Sequence, residues 1–373
     1  LTQLLKSAEK ILIIALPGIG DALLATPMIE LLRRAKPQAE LHVLVMFKAT
    51  KEMFEADPFV DKVHYYDLIG GSKLSAIKAV LALRREAFDI SINIYPQNRR
   101  EYNAIALMIG AKKRVGVLYR RLGTQNLNWL NTDTITEDDS LHCVEENVKL
   151  LTCIGINHEL TEATLPPLRL NLSSDHSQFA NNWISEHGLD DKRLLIGMHA
   201  GTALFKNHIK RRWAPEKFAA LAKQLTADLG ATVLLFGGPD DISANEIILR
   251  QAGDSVTFVK ASNLLDSVAV MKKLNLFISN DSSLMHIAGA LALPTVAIFG
   301  PTNETYVHPW KTQYEIVQTG IDCRPCFVYS PKPLTCYREN PAEHFMCIRD
   351  IEVGDVLSAA NKLLGNDLIT ISL

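Results

Sequence analysis

The chain has 373 residues, 47% hydrophobic and 21% charged, which is ordinary for a globular enzyme and long enough for two domains. A formal net charge of -2 excludes a global field that would steer the whole molecule to nucleic acid or membrane. Six cysteines in a chain of this size do not make a secreted disulfide scaffold, and residues 1–10 carry no apolar core of signal-peptide length, so a cytoplasmic protein is expected.

Ile11 to Leu16 is a continuous apolar run, as in a central parallel strand. Pro17-Gly18-Ile19-Gly20-Asp21 follows, then a helical pattern with Leu24, Met28, Leu31 and Ala35 on one face, which Pro27 should bend. The third glycine of the dinucleotide fingerprint is missing. Asp21 fits two roles: a helix N-cap, or a carboxylate at the mouth of a cleft where a general base would stand. Further strands are expected over 41–45, 62–66, 89–94 and 114–117, with helices over 74–85, 102–109 and 142–154. Residues 129–140 look irregular. Cys143 and Cys153 fall on the core face of the last helix. Basic pairs cluster at Arg84-Arg85, Arg99-Arg100, Lys112-Lys113-Arg114 and Arg120-Arg121; solvated helix ends explain each taken singly, and an acidic partner explains them together. Alternating strands and helices predict a doubly wound sheet. Residues 161–175 lack a period and are the expected linker between domains 1–172 and 173–373.

In the second half a helix is expected over 178–187 and a strand over 194–199, with Gly201-Thr202 after it. A basic loop, Lys206 to Trp213, precedes a helix starting at Pro215. Its cations Lys210 and Arg211 are suited to a phosphate. The strand 232–236 runs into Asp240-Asp241, where a carboxylate either meets ribose hydroxyls or caps the next helix. Then comes the most informative stretch. The apolar run 274–279 ends at Asp281-Ser282-Ser283, a helix carrying His286 extends to Leu293, Pro294 stops it, and 295–299 is another buried strand. The greasy run 284–299 splits at His286 and Pro294 and is no membrane span. A helix N-terminus at a strand's carboxyl edge offers free N–H groups and the positive dipole end, a seat for phosphate.

These residues resemble, in order and over nearly the whole chain, glycosyltransferase family 9, the bacterial ADP-heptose heptosyltransferases of lipopolysaccharide synthesis. The resemblance rests on Gly18-Ile19-Gly20-Asp21 with Ala25-Thr26-Pro27, Gly110 to Gly116, and Gly201-Thr202 with Arg211-Arg212-Trp213 and Pro215. Phe236-Gly237-Gly238-Pro239, Asp281-Ser282-Ser283 with His286, and Phe299-Gly300-Pro301-Thr302 complete it. It implies an α/β, GT-B type fold: two Rossmann-like doubly wound parallel-sheet domains facing across a cleft, acceptor side first and donor side second. It implies inverting transfer of heptose from ADP-heptose to a hydroxyl of a lipopolysaccharide core or another glycan or protein acceptor. No metal or cofactor is required for transfer, and the enzyme meets an acidic acceptor at the inner membrane surface. Asp21 is the implied general base; Gly20, Thr202, Lys210, Arg211, Asp241, Asp281, Ser282, Ser283 and His286 are the implied donor-binding set. The family's lysine two residues before the Trp is Arg211 here, with Lys210 one earlier, and its Asp-Ser/Thr-Gly is Asp281-Ser282-Ser283. No Asp-x-Asp triplet, the metal motif of the other large glycosyltransferase architecture, occurs. Transfer using a different nucleotide sugar, or a non-catalytic nucleotide-binding regulator on the same fold, are the competing readings; the lone carboxylate at Asp21 argues against a pure binder.

Cys323, Cys326, Cys336 and Cys347 are spaced Cys-x2-Cys-x9-Cys-x10-Cys. Four thiolates suit tetrahedral zinc or iron, so a structural metal is expected there, against free thiols or redox-active disulfides. Cysteine-rich tails also occur in the resembled family.

Overall fold

The computed structural model describes residues 8–370 except 69, 71, 98, 123, 192, 193 and 328–331. Most of the expectation about residues 1–10 lies outside the described residues. The chain forms two compact units, 1–171 and 172–373.

The first unit runs β1 (Lys10–Ile14), α1 (Ile19–Leu24), α2 (Thr26–Ala35), β2 (Glu40–Val45), α3 (Lys48–Glu55), β3 (Lys62–Tyr65), α4 (Lys73–Arg84), β4 (Ile90–Asn93), α5 (Arg100–Ile109), β5 (Lys113–Leu118), β6 (Asp133–Thr136) and α6 (Cys143–Lys149). Its strands are all parallel, in the order β3-β2-β1-β4-β5-β6. That is the order of a Rossmann sheet, which reverses direction between β1 and β4. β1 is buried on both faces, which is why Ile11 to Ile14 is an unbroken apolar run, whereas β4 (Ile-Ser-Ile-Asn) is equally buried but alternates, its Asn93 side chain being hydrogen-bonded to Gln97 and Asn103.

Four local expectations need correction. The helix after Gly20 is two helices: α1 caps at Ala25, the Thr26 hydroxyl donates to the Leu23 carbonyl at 2.7 Å, and Pro27 opens α2, where its missing N–H costs nothing. Asp21 lies in the first turn of α1, behind the N-cap Gly18, so it is not the cap. Residues 129–140 contain β6, an edge strand of sequence Asp-Thr-Ile-Thr whose half-solvated setting needs no apolar run. The helix over 142–154 tightens to 3-10 after Lys149; Cys143 is buried and Cys153 only partly so.

The segment before the second unit is fastened by charge instead of periodicity. Arg169 donates to Asp57 at 2.9 and 3.1 Å and to Glu30 at 2.7 Å, and its guanidinium sits 4.3 Å over the Phe59 ring.

The second unit runs α7 (Ser174–Glu186), β7 (Leu195–His199), α8 (Pro215–Leu229), β8 (Thr232–Phe236), α9 (Ile242–Ala252), β9 (Val256–Phe258), α10 (Leu264–Met271), β10 (Leu276–Asn280), α11 (Ser283–Ala290), β11 (Thr295–Ile298), α12 (Glu304–Val307), β12 (Tyr314–Val317), α13 (Met346–Arg349) and α14 (Val353–Thr370). Its parallel order, β12-β11-β10-β7-β8-β9, repeats the first sheet and reverses between β7 and β10. Trp213 and Phe218 anchor one face of its core, meeting edge to face at 4.9 Å. The two parallel sheets with covering helices are the α/β, GT-B type architecture that the sequence implied.

Candidate functional site

In an open parallel sheet, ligands bind beyond the carboxyl ends of the strands where the order reverses. The candidate residues of each unit fall at that point. In the first, the turn Pro17 to Asp21 follows β1. The space above Gly18 is open, with nothing within 4 Å of where a Cβ would stand. Gln97 braces the turn from below: its amide donates to the Ile14 carbonyl at 2.8 Å and to Asn93 at 3.2 Å, and Asn93 donates to Asn103 at 2.9 Å. Asp21 is half-exposed at the start of α1, where the helix dipole favours a negative charge. Its field reaches Tyr102 of α5. Burial pushes the Tyr102 phenol up to about 12, Arg99 opposes, and Asp21 and Glu101 add to the rise.

Most of the early cations are spent within the unit. Lys112 pairs with Asp89 at 2.7 Å, Lys113 with Asp133 at 3.3 Å and Arg121 with Asp139 at 3.1 Å, while Arg114 donates to the Leu130 carbonyl at 3.0 Å.

In the second unit the loops after β7, β8, β10 and β11 meet. Asn280 ties the first and third together: its amide donates to the Ala200 carbonyl at 2.8 Å, and its oxygen accepts from the Trp213 N–H at 3.0 Å. Gly201 is obligatory there, because a Cβ would stand 2.0 Å from the Asp241 carboxylate and 2.5 Å from the His199 ring.

Arg211 lies against Asp281. Its guanidinium pairs with the carboxylate and donates to the Asp281 carbonyl at 3.1 Å, and it stands 5.0 Å over the Phe327 ring. Lys210 is exposed and reaches the Phe345 ring at 6.0 Å. Beyond them α11 begins at Ser283, with the N-cap Ser282 making no side-chain cap bond. The first N–H groups of α11 therefore lack the capping that the sequence suggested. Ser282 Oγ instead lies 3.0 Å from His199 Nδ1 and 3.0 Å from Ser279 Oγ.

His286 is buried one turn in. Burial drives its ring down to about 4, with Arg211 lowering it further and Asp281 opposing, so it is neutral at physiological pH. His286 Nδ1 and Arg211 Nε are buried without a hydrogen-bond partner among the described residues. Two unmet polar groups, brought close to each other from the basic loop and from α11, are costly unless a ligand completes them.

Asp241 is 6% exposed, and both its oxygens are engaged. One pairs with Arg212 at 2.9 Å; the other lies 3.2 Å from His199 Nε2 and accepts from the Gly238 N–H at 2.9 Å. Burial is the largest influence and opposes ionisation, but the contacts with His199, Gly238 and Arg212 together hold the carboxyl below the usual range. Arg212 also donates to Thr202 Oγ1 at 3.3 Å, and Thr202 Oγ1 donates to the His208 carbonyl at 3.0 Å. Sequence reasoning missed His199, Arg212 and Gln97 as parts of the candidate site. The only signal for His199 was a polar residue ending a fully apolar strand.

The four late cysteines line one small cavity together with Pro301, Ile321 and Arg338. Burial pushes the Cys347 thiol up to about 11, the neighbouring thiols adding and Arg324 opposing. Among the described residues no group of three or more His, Cys, Asp or Glu side chains is arranged to hold a metal ion. The donor chemistry thus fits a soft metal, while the sulfurs are not closed into a finished cage.

The segment carrying these cysteines also clasps the basic loop. The Leu334 N–H donates to the Lys206 carbonyl at 2.8 Å, and Asn207 donates to the Leu334 carbonyl at 2.8 Å. The Phe327 ring stands edge-on to His208 at 5.5 Å as well as beneath Arg211. Lys206 and Asn207 are held at φ 53° and 61°, a left-handed conformation that Asn adopts readily but that is uncommon for Lys.

Residues 38–337 match the model of glycosyltransferase family 9 (heptosyltransferase). The chain is 25% identical over 372 residues to lipopolysaccharide heptosyltransferase 3 of Escherichia coli, with 92% of this chain and 96% of that one covered. It is 24% identical over 358 residues to lipooligosaccharide heptosyltransferase 2 of Campylobacter jejuni, covering 93% and 96%. The solved structure of E. coli ADP-heptose lipopolysaccharide heptosyltransferase II superposes with a TM-score of 0.72 at 22% identity, over 96% of this chain and 99% of that one. The chain is a glycosyltransferase and belongs to family 9, the heptosyltransferases.

Proposed function

We propose that this enzyme transfers heptose from ADP-heptose to a hydroxyl of a lipopolysaccharide core, with inversion. The carrying observation is the Asp281 turn: a buried Arg211–Asp281 pair beside an uncapped helix start, with Arg211 Nε and His286 Nδ1 both unmet. That arrangement suits the diphosphate and sugar of a nucleotide sugar.

In this reading Asp21 accepts the proton of the acceptor hydroxyl as its oxygen attacks the anomeric carbon. The bond from that carbon to the phosphate oxygen breaks, and ADP leaves. The charge gathering on the departing diphosphate is met by Arg211, by the first N–H groups of α11 with Ser282 and Ser283, and from solvent by Lys210. Donors aimed at developing charge are usually the largest catalytic contribution. The open space above Gly18 leaves room near Asp21, Gly20 continues the turn into α1, and Thr202 fixes the start of the basic loop. Asp241 serves the donor site by holding His199 and Arg212, and through them Ser282 and Thr202. The first unit is the acceptor side and the second the donor side, and the enzyme works at the membrane surface where its acceptor is anchored.

Purified protein incubated with a panel of nucleotide sugars and core acceptors, read by mass spectrometry, tests this. Heptose added from ADP-heptose is expected; addition of another sugar from another nucleotide would replace the donor assignment. We also propose one zinc or iron ion at the cysteine cavity, on the strength of its four-sulfur lining. Elemental analysis of protein purified without chelators should give about one equivalent per chain. Neither metal near that level, with all four thiols freely reactive, overturns it.

A further inference from the structure

Helix α4 (Lys73–Arg84) has two apolar faces and a partner for only one. Val80 and Leu83 point inward and pack with Leu12, Ile14 and Leu16 in the core of the first unit. On the other side Leu74, Ile77 and Leu81 are 72%, 44% and 47% exposed. At ~100° per residue these three fall within roughly 60° of arc, so they form one stripe along the helix. A contiguous exposed apolar stripe rimmed by polar residues marks a surface that meets a partner or a membrane. Something outside the unit therefore covers this stripe.

The charges beside the stripe say what. Residues 73–84 contain no Asp or Glu. Lys78 and Arg85 are exposed along one flank, and Arg84 lies on the other, donating to the Met108 carbonyl of α5 at 3.3 Å. The nearest carboxylate in sequence, Glu86, is engaged by Lys62 at 2.7 Å. An isologous dimer through this face would set Lys78 and Arg85 against their own copies, and like charges facing across an apolar seam repel. A surface both apolar beneath and negative above accepts leucines and cations together, and that is the boundary of an anionic lipid bilayer. Among the described residues no helix is long and apolar enough to cross a membrane, so the contact is peripheral.

We propose that α4 docks the enzyme on anionic phospholipid, with Leu74, Ile77 and Leu81 inserted at the headgroup boundary and Lys78 and Arg85 among the headgroup phosphates. The purpose rests on the proposed acceptor, a saccharide carried on lipid. The docking itself does not depend on the chemistry of transfer.

The test uses the full chain and vesicles of phosphatidylethanolamine with phosphatidylglycerol, against vesicles of phosphatidylcholine alone. Wild type should co-sediment with the anionic vesicles only, and less so as salt rises from about 0.05 M to about 0.5 M. The triple change Leu74→Ser, Ile77→Ser, Leu81→Ser and the double change Lys78→Glu, Arg85→Glu should each reduce partition by roughly tenfold or more. Both variants should retain wild-type transfer to a delipidated core oligosaccharide, which also shows that they fold. Equal vesicle binding by wild type and variants, or no binding by wild type, overturns the proposal. So does a wild-type dimer that the serine variant dissociates, which would make the occupant a second copy, or salt-sensitive capture by an acidic protein in place of vesicles. If vesicle binding behaves as expected while no protein form transfers heptose, the docking surface stands and the donor and acceptor assignment fails.

Discussion

At the scale of single residues, the proposed chemistry divides between one carboxylate and one ion pair. Asp21 sits in the first turn of α1, where a helix dipole favours a negative charge, the setting that suits a general base. Asp21→Asn removes the proton acceptor without altering shape. Turnover is expected to fall by roughly 10²-fold or more with ADP affinity unchanged; near-normal turnover would remove Asp21 from that role. Arg211 and Lys210 are separable because only Arg211 is enclosed beside Asp281, while Lys210 stands in solvent. Arg211→Ala should weaken ADP by roughly tenfold or more, the scale of a hydrogen bond to a charged group, and Lys210→Ala by less. Calorimetry with ADP decides, and the reverse ranking would place the phosphate away from the Asp281 turn.

At the scale of elements, the cysteine-bearing segment is a brace for the loop that carries those cations. It bonds the loop at Lys206 and Asn207 and lays Phe327 beneath Arg211. A cation over a ring contributes about 0.5–2 kcal/mol depending on desolvation. Phe327→Leu keeps the apolar bulk and loses the ring face. ADP affinity should drop about threefold or more in that variant and recover in Phe327→Tyr, with the thermal midpoint little changed. Affinity that ignores the ring would show that the loop holds its shape unaided.

At the scale of the molecule, buried histidines set the response to acid. Burial holds His64, His208 and His286 neutral down to about 4. Unfolded, they take up protons below about 6.5. Between those values the unfolded chain binds more protons, so stability rises with pH across the window and falls as pH drops through it. Glu146, pushed up to about 7 by burial, acts in the opposite sense: it favours the folded state at low pH and loses that contribution as pH rises towards about 7. The denaturant midpoint should decline from about pH 6.5 to about pH 4.5. Glu146→Gln should make that decline steeper, because the opposing group is gone. A midpoint that is flat or rises on acidification contradicts the histidine assignment.

The sequence alone determined the two parallel sheets and the turns at Gly18, Gly201 and Asp281. Strands buried on both faces are dominated by apolar residues, as in β1 and β8, and the turns at their ends are marked by glycine, proline and capping residues regardless of the rest of the chain. It did not determine β6, because an edge strand can satisfy its backbone with polar residues, nor the break at Ala25, because Pro27 both bends and begins helices. Tertiary structure alone decided what the polar side chains do. Asp241 meets His199 across 42 positions of sequence, Arg211 meets Asp281 across 70, and Gln97 reaches Ile14 across 83. A hydrogen bond is specific in distance and direction but leaves no periodicity along the chain, so only folding brings its two ends into view.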